Sequence, residues 1–370
     1  MNGNIMDYKN KYIFKSIDEN IQFFGELFKN DGLYRKREFR LANSAKTKAC
    51  LLFFDGMVNS LFINDSVMRP LLNFDYSFTD NLTDGIINHV LYANEVKKER
   101  DISLILSDIL YGDSVLLIDN CEYAILIDTK GWRTRGISEP NDERVLKGPR
   151  EGFDEAILPN LAMLKRKLIT PDLAIENLTV GRRTETKVYV CYLKSVVKQK
   201  TVEKIKAKIE KIDIDGVLDS NYISELINDN GFSFFKTVGT TERPDVVAAK
   251  LLEGRIAVFV DGTPVVLTVP YIFAENFQSD DDYYQHYTVA AIGRVLRYAC
   301  FYISTFVPSL FAALVVFNPQ FLPVTFFTTI ASSRAGVPFS TFFESLLLII
   351  VFELLKETGV RMQQSVGHAL

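Results

Sequence analysis

The stretch Tyr298-Ala-Cys-Phe-Tyr-Ile-Ser-Thr-Phe-Val-Pro-Ser-Leu-Phe-Ala-Ala-Leu-Val-Val-Phe317 contains 20 residues and no charged side chain. At roughly 1.5 Å per residue, a helix of this length covers about 30 Å, the thickness of the hydrocarbon core of a bilayer. Soluble helices seldom lack a polar face over such a distance, so a buried helical hairpin is the less favoured alternative. The stretch therefore predicts a membrane-crossing helix.

Charged residues are distributed very unevenly before and after this stretch. The chain carries 42 Lys and Arg against 46 Asp and Glu, and six of these 88 charges lie in residues 298–370. Such a distribution excludes a disordered chain, a collagen-like fibre and a wholly soluble enzyme. Arg294 and Arg297 precede the apolar stretch, which keeps the N-terminal part on the cytoplasmic side. We therefore expect an α/β (α+β) cytoplasmic region of two subdomains, followed by a helical transmembrane region.

Changes in composition divide the chain into four parts. Alternating helix and strand patterns in residues 1–132 predict a first α/β subdomain. Residues 133–153 are rich in Gly, Pro and charge, which is typical of a connector. Residues 154–280 predict a second α/β subdomain, and residues 281–370 predict a set of membrane helices.

A second apolar segment, residues 338–355, is interrupted only by Glu344 and Glu353. A carboxylate inside a bilayer costs about 3 kcal/mol, so it normally faces protein or a water path. Nine residues correspond to about 900° of helix rotation, which places the two side chains on opposite faces. Glu344, with Arg334 as a candidate partner, either lines an ion path or makes a polar contact between helices. Glu353 suits a side chain that extends to the membrane interface.

No pattern predicts a cofactor, a metal site or a catalytic centre. The four cysteines lie about 70 or more residues apart, which is not zinc-ligand spacing and indicates reduced thiols. The net charge of −4 offers no clustered basic surface for nucleic acid. Signatures of serine hydrolases, P-loop nucleotide binding, zinc proteases and dinucleotide binding are absent. A membrane-anchored enzyme is therefore the less favoured alternative.

Three short motifs carry residues with special backbone or charge properties. Gly148-Pro-Arg-Glu-Gly152 could bind an anion, although a structural connector is the favoured interpretation. Arg243-Pro244 places proline at the expected start of a helix. Asp261-Gly262 begins the turn of the clearest hairpin in the chain. The candidate structural residues are Gly148, Pro149, Arg150, Glu151, Gly152, Arg243, Pro244, Asp261 and Gly262.

An ordered series of motifs resembles the A subunits of the GerA-type spore germination receptors. It includes Asp128-Thr-Lys-Gly-Trp132, Gly148-Pro-Arg-Glu-Gly-Phe153 and Thr241-Glu-Arg-Pro-Asp245. Further matching segments lie at 212–219, 252–264, 282–284, 333–339 and 352–361. The resemblance extends over nearly the whole chain, from about Ile17. It implies a cytoplasmic region of two α/β subdomains facing the spore core, followed by a bundle of membrane helices.

The resemblance also implies a function and partners. Members of the family are multi-pass proteins of the spore inner membrane that act with a transporter-like B subunit and a lipoprotein C subunit. Nutrient binding, mainly in the B subunit, would trigger ion release. The A subunits would form homo-oligomers in the membrane lipid and either conduct ions or act as a non-conducting scaffold. A relative of the stage V sporulation protein AF, a germination channel component, is a further alternative.

Two departures from the family pattern concern the membrane region. Pro338-Phe339-Ser340 stands where the family usually has Pro-Phe-Pro. Family members continue beyond the position of Arg361 with further apolar helices, whereas this chain ends at Leu370. The resemblance therefore implies a C-terminally truncated chain with an incomplete membrane bundle.

Overall fold

The fold was obtained as a computed structural model, which describes residues 5–42, 45–73, 82–131, 148–228, 235–321, 323–333, 336 and 339–361. The chain divides into two compact units, Met1–Asn276 and Phe277–Leu370. Most of the predicted connector and Arg334 lie outside the described residues.

The first unit contains a five-stranded antiparallel sheet built from its N-terminal half. Its strands are β1 (Tyr34–Arg40), β2 (Lys48–Phe54), β3 (Val96–Glu99), β4 (Ser114–Ile118) and β5 (Ala124–Ile127). Their order is β1-β2-β4-β5-β3. The two strands β4 and β5 are buried along their whole length, and all of their side chains except that of Ser114 are apolar.

Five α-helices accompany this sheet in the described residues. They are α1 (Ile17–Leu27), α2 (Ser60–Phe62), α3 (Arg69–Asn73), α4 (Leu82–His89) and α5 (Ile102–Leu110), with a π-helical stretch, Ile63–Met68, between α2 and α3. Side-chain caps start two of them: Asn59 Oδ1 accepts from Leu61 N and Phe62 N, and Asp101 Oδ1 accepts from Ser103 N at 2.8 Å. These contacts satisfy backbone donors that the first helical turn leaves unpaired.

The C-terminal half of the first unit forms a second antiparallel sheet. Its strands are β6 (Leu173–Val180), β7 (Thr186–Leu193), β8 (Gly239–Thr241), β9 (Ile256–Val260) and β10 (Val266–Val269), in the order β6-β7-β9-β10-β8. Its helices are α6 (Ile157–Lys167), α7 (Gln199–Glu210), α8 (Ser220–Ile227) and α9 (Pro244–Leu252). Helix α7 buries Val202, Ile205 and Ile209, as their helical spacing predicts.

A continuous apolar core joins the two sheets. It contains Leu52 and Leu117 of the first sheet, Leu161 of α6, and Ile175 and Cys191 of the second sheet, all essentially inaccessible to solvent. Burial of such a leucine or isoleucine stabilises the fold by about 1.5–3 kcal/mol. Two backbone hydrogen bonds add to this packing: Gly32 N donates to Ile175 O at 2.7 Å, and Ile175 N donates to Asn30 O at 2.9 Å. The packing thus holds both sheets in one compact unit, and the predicted subdomain boundaries stay predictions.

The second unit is helical in its described residues. It contains α10 (Tyr287–Phe317), α11 (Val324–Ser333) and α12 (Thr341–Arg361). Pro308 lies inside α10, and α12 contacts α10. Among the described residues, one helix, Tyr287–Val315, is long and apolar enough to cross a membrane.

Candidate functional site

The end of the predicted connector meets the start of α9. Phe153 N donates to Glu242 O at 2.8 Å, and Arg243 Nη2 donates to Pro149 O at 3.4 Å. The Arg243 side chain is buried, and it contacts Asp245 through Nε–Oδ1 at 3.1 Å and Nη2–Oδ2 at 2.6 Å. Such a two-point contact fixes the orientation of a guanidinium as well as compensating its charge. Two motifs that lie 94 residues apart in the chain are therefore in direct contact here.

Glu151 ties the same segment to helix α6. Its carboxylate lies 2.7 Å from Arg166 Nη2 and 3.0 Å from Lys167 Nζ. Burial by itself raises the pKa of Glu151, but the hydrogen bonds and charges of Lys167 and Arg166 outweigh it and hold the pKa below its usual value. The cations near Gly148–Gly152 thus already compensate a carboxylate of the chain, which argues against a free anion-binding loop.

The turn between β9 and β10 contacts the residues that follow this segment. Gly262 has a positive φ of 92°, a conformation that glycine adopts without strain, and its N donates to Glu155 O at 3.0 Å. Asp261 N donates to Lys187 O at 3.0 Å. Residues 148–155, which include the Gly148–Gly152 motif, therefore contact both the start of α9 and the β9–β10 turn. The other two sequence motifs, Arg243-Pro244 and Asp261-Gly262, thus lie beside this segment.

A cavity of about 600 Å³ lies beside this segment, within the first unit. Both sheets contribute to it, with Asp55 from the end of the first sheet and Tyr189 from the second. Six charged residues line it: Arg35, Asp55, Asp154, Arg166, Lys187 and Asp261. Arg35 Nη2 lies 3.6 Å from Asp55 Oδ2. Three cations and three anions make the lining polar without a dominant sign of charge.

The described lining of the cavity contains no serine, cysteine or histidine. Its charged and phenolic side chains are those of Asp, Lys, Arg and Tyr. Burial raises the pKa of Tyr189, which keeps this phenol protonated near neutral pH. The arrangement can hold polar groups in place.

Of the cavity residues, the sequence indicated Gly152 and Asp261 and missed Arg35, Asp154 and Lys187. Arg35 lies on an exposed strand among other cations, and Lys187 lies on β7. Whether Arg35 and Lys187 line the same cavity depends on how the two sheets pack, and no local pattern in the sequence encodes that packing.

Metal and thiol chemistry has no support in the described residues. They contain no group of three or more His, Cys, Asp or Glu side chains that could hold a metal ion. Cys50 and Cys191 are buried. Burial raises the pKa of Cys50 to about 12, so its thiol remains protonated and unreactive at neutral pH.

The charged residues of the second unit have different environments. Glu344 lies half-buried near the start of α12, and its N donates to Ser340 O at 3.0 Å. Glu353 is mostly exposed and lies 3.0 Å from Lys356 Nζ. Both belong to one uninterrupted helix, so the nine-residue spacing places them on opposite sides. Arg334, the candidate partner of Glu344, lies outside the described residues.

Comparison with known proteins identifies relatives over most of the chain. The family described as Bacillus/Clostridium GerA spore germination protein matches residues 22–370. Spore germination protein KA of Bacillus subtilis (strain 168) is 34% identical over 90% of this chain and 61% of its own length. Spore germination protein A1 of the same organism is 34% identical over 93% of this chain and 70% of its own length.

A further relative, the uncharacterized membrane protein YfkQ of Bacillus subtilis (strain 168), is 35% identical over 86% of this chain and 62% of its own length. The chain thus spans about three fifths of the length of two of these relatives.

A solved structure supports the same relationship for the first unit. The crystal structure of the N-terminal domain of the A subunit of the Bacillus megaterium spore germinant receptor GerK3 superposes with a TM-score of 0.52 at 30% identity. The match covers 71% of this chain and 98% of that domain. The mixed α/β fold with two sheets is therefore that of a germinant receptor A-subunit N-terminal domain. With the match of residues 22–370, it follows that this chain belongs to the GerA family of spore germination proteins.

Proposed function

We propose that this chain is the A-type subunit of a nutrient germinant receptor, and that it couples germinant sensing to ion release. The observation that carries the proposal is the family match over residues 22–370 together with the N-terminal fold of a receptor A subunit.

The proposed location is the inner membrane of the spore, with the first unit on the spore-core side and several passes through the lipid. The apolar helix Tyr287–Val315 supports membrane insertion by its length and composition. Arg294 and Arg297 near its N-terminal end support a cytoplasmic orientation of the preceding residues, since positive-inside topology depends on Lys and Arg near a span. Additional passes are part of the proposal and rest on the family relationship.

The proposed partners are the B and C subunits of the receptor and further copies of the A subunit in the same membrane. In the leading hypothesis, the oligomer of A subunits conducts ions, and Glu344 lies along the path. In the alternative, the A subunit is a scaffold that organises B and C without conducting. A channel component similar to the stage V sporulation protein AF is the second alternative.

Reconstitution distinguishes these hypotheses. The chain alone is inserted into liposomes loaded with a cation-sensitive dye, and cation flux is measured. Flux above that of protein-free liposomes is expected for a conducting subunit, and no flux supports the scaffold. Deletion of the gene in the spore-forming host tests the broader proposal, because loss of the receptor subunit should abolish or weaken germination on at least one nutrient.

A further inference from the structure

The first unit ends in a segment, residues 270–276, that a buried carboxylate holds in place. Glu275 is 6% exposed and lies in a short 3-10 helix, Phe273–Phe277. It accepts hydrogen bonds from Lys250 Nζ at 2.6 Å, from Ile272 N at 2.7 Å and from Arg255 Nη1. One carboxylate therefore joins this segment, which we call the exit segment, to the end of α9 and to the residue before β9.

Arg255 strengthens the attachment of the exit segment. Its Nη1 also donates to Pro270 O at 3.1 Å, so one guanidinium contacts both ends of the segment. On its other side, Arg255 Nη2 lies 3.1 Å from Glu253, whose side chain is 45% exposed. Charge-assisted hydrogen bonds in such a buried site are the strong ones, because solvent does not compete for them. Glu275 therefore makes the buried contact with Arg255, and Glu253 makes a similar contact with Arg255 at the surface.

Helix α9 connects this attachment to the motifs described above. Its first turn contacts the end of the connector through Arg243 and Pro149, and its last turn carries Lys250. Between these ends, Val247 and Leu251 are fully buried in the core that joins the two sheets. A helix of nine residues is about 14 Å long and does not bend easily. A shift of the connector at Pro149 would therefore displace the end of α9 that holds Glu275.

The chain leaves the first unit immediately after Glu275 and is held again at Asp282. In the second unit, the buried Asp282 carboxylate lies 3.0 Å from Arg294 Nε and also accepts from Arg297 Nη2. Arg297 Nε donates to Phe277 O at 2.7 Å. Only residues 276–281 separate the two carboxylates in the chain. Glu275 thus holds the last residues of the first unit, from which the chain continues into the second unit.

We propose that Glu275 is a positioning residue of the coupling step: it locks the exit segment to α9, so that a displacement of the connector end is passed to the chain entering the second unit. This inference rests on the proposed function as a receptor subunit. It predicts that loss of the Glu275 charge uncouples the two units while each of them remains folded.

The first test measures hydrogen exchange of the full chain in lipid nanodiscs, without any germinant. Glu275→Gln keeps the size of the side chain but loses the charge, and Glu253→Gln removes the exposed partner of the same arginine. Loss of a charge-assisted bond should speed exchange of the amides in residues 271–277 about tenfold. Glu253→Gln should leave this exchange unchanged. Equal protection of the segment in wild type and Glu275→Gln would overturn the proposal.

The second test measures ion release from spores that carry the variant subunit. Glu275→Gln should slow nutrient-triggered ion release about tenfold at wild-type receptor abundance, whereas Glu253→Gln should release ions normally. Arg255→Lys, which retains the charge but loses the second donor to Pro270, provides a milder variant if Glu275→Gln accumulates poorly. Normal release with Glu275→Gln or Arg255→Lys at wild-type abundance contradicts the inference. If deletion of the whole subunit also leaves every nutrient response intact, the proposed function itself is wrong.

Discussion

Lys165 and Asp31 form a buried ion pair between helix α6 and the loop that follows α1, although 134 residues separate them in the chain. Their side chains are 1% and 3% exposed. Lys165 Nζ also lies 3.4 Å from the centroid of the Phe54 ring, and Asp31 Oδ1 accepts from Leu33 N at 3.0 Å. The pair thus connects α6, which precedes the second sheet, to the loop between α1 and β1 of the first sheet, inside the apolar core.

Removal of one partner of this pair should be strongly destabilising. Lys165→Met leaves the Asp31 carboxylate buried without its cation, and we expect a loss of about 3–5 kcal/mol in the free energy of unfolding. Urea unfolding of a fragment comprising residues 1–276 measures this, since these residues form a compact unit and a relative's N-terminal domain has been crystallised. Lys97→Met, at an exposed ion pair with Glu95, should change stability by less than about 1 kcal/mol.

The double variant Lys165→Met, Asp31→Asn identifies the origin of that loss. Asn retains the oxygen that accepts from Leu33 N but carries no buried charge. The double variant should therefore be more stable than Lys165→Met alone, because interacting residues do not contribute additively. If the stability lost in the double variant equalled the sum of the losses in Lys165→Met and Asp31→Asn, the pair would make no specific contribution to stability.

A close backbone approach explains the glycine of the Asp128–Trp132 motif. A Cβ on Gly131 would lie 2.3 Å from Asn59 N and 2.5 Å from Asn59 Cα, and this backbone cannot move freely because Asn59 N donates to Thr129 O at 2.8 Å. Gly131→Ala should reduce the free energy of unfolding by about 1–3 kcal/mol, the usual cost of overpacking. Thermal unfolding of residues 1–276 measures the change.

Gly25→Ala is the matched control for this substitution. Gly25 lies in α1, and a Cβ there would meet no atom within 4 Å. Because alanine favours helix over glycine, this variant should be stabilised by about 0.5–1 kcal/mol. Equal effects of the two substitutions would contradict the steric explanation.

The Glu275 carboxylate should make the first unit sensitive to acid. Burial by itself raises the pKa of Glu275, but the hydrogen bonds from Arg255, Lys250 and Ile272 N together hold the pKa below its usual value. As the pH falls, the unfolded chain therefore binds this proton first. The stabilisation is fully present above about pH 4.3, the pKa in an unfolded chain, and is lost as the pH falls from there through the folded pKa.

Unfolding curves of wild type and Glu275→Gln at several pH values test this prediction. The difference in the free energy of unfolding between the two proteins should be constant near neutral pH and should shrink below about pH 4.3. A difference that grows on acidification would contradict the assigned sign of the pKa shift.

Substitution of Glu344 tests the conduction hypothesis. Glu344→Gln in the receptor should slow ion release about tenfold if the carboxylate lies along the ion path, since a charge there attracts cations. Glu353→Gln is the control, because Glu353 is exposed, contacts Lys356 and lies on the opposite side of α12. Normal ion release with Glu344→Gln at wild-type receptor abundance would make a role of this carboxylate in conduction untenable.

Much of the secondary structure of the first unit could be predicted from local sequence patterns. The hairpin of β4 and β5 and that of β9 and β10 consist of apolar strands with a short turn between them. Two of the four edge strands, β3 and β8, are not predicted from the sequence, because Val-Lys-Lys-Glu and Gly-Thr-Thr carry no alternation of apolar and polar residues. These strands form by pairing with neighbours that are already in place.

The candidate site was predictable only in pieces. The turns at Gly152 and Asp261 stand out in the sequence because glycine, proline and charge cluster there. Nothing local indicates that both lie beside one cavity, or that Arg35 of β1 reaches it. Glu275 likewise has an ordinary sequence context, and its burial between Lys250 and Arg255 depends on the path of the chain after β10.

The sequence by itself determined the charge-poor C-terminal part, the apolar stretch of α10 and, through its ordered motifs, the family. Those features are local, because hydropathy, turn chemistry and motif order are properties of neighbouring residues. Only the tertiary structure decided that one core joins the two sheets, that Lys165 is buried against Asp31, and that α9 connects the connector end to Glu275. Such contacts join residues far apart in the chain, and the packing of whole sheets and helices selects them.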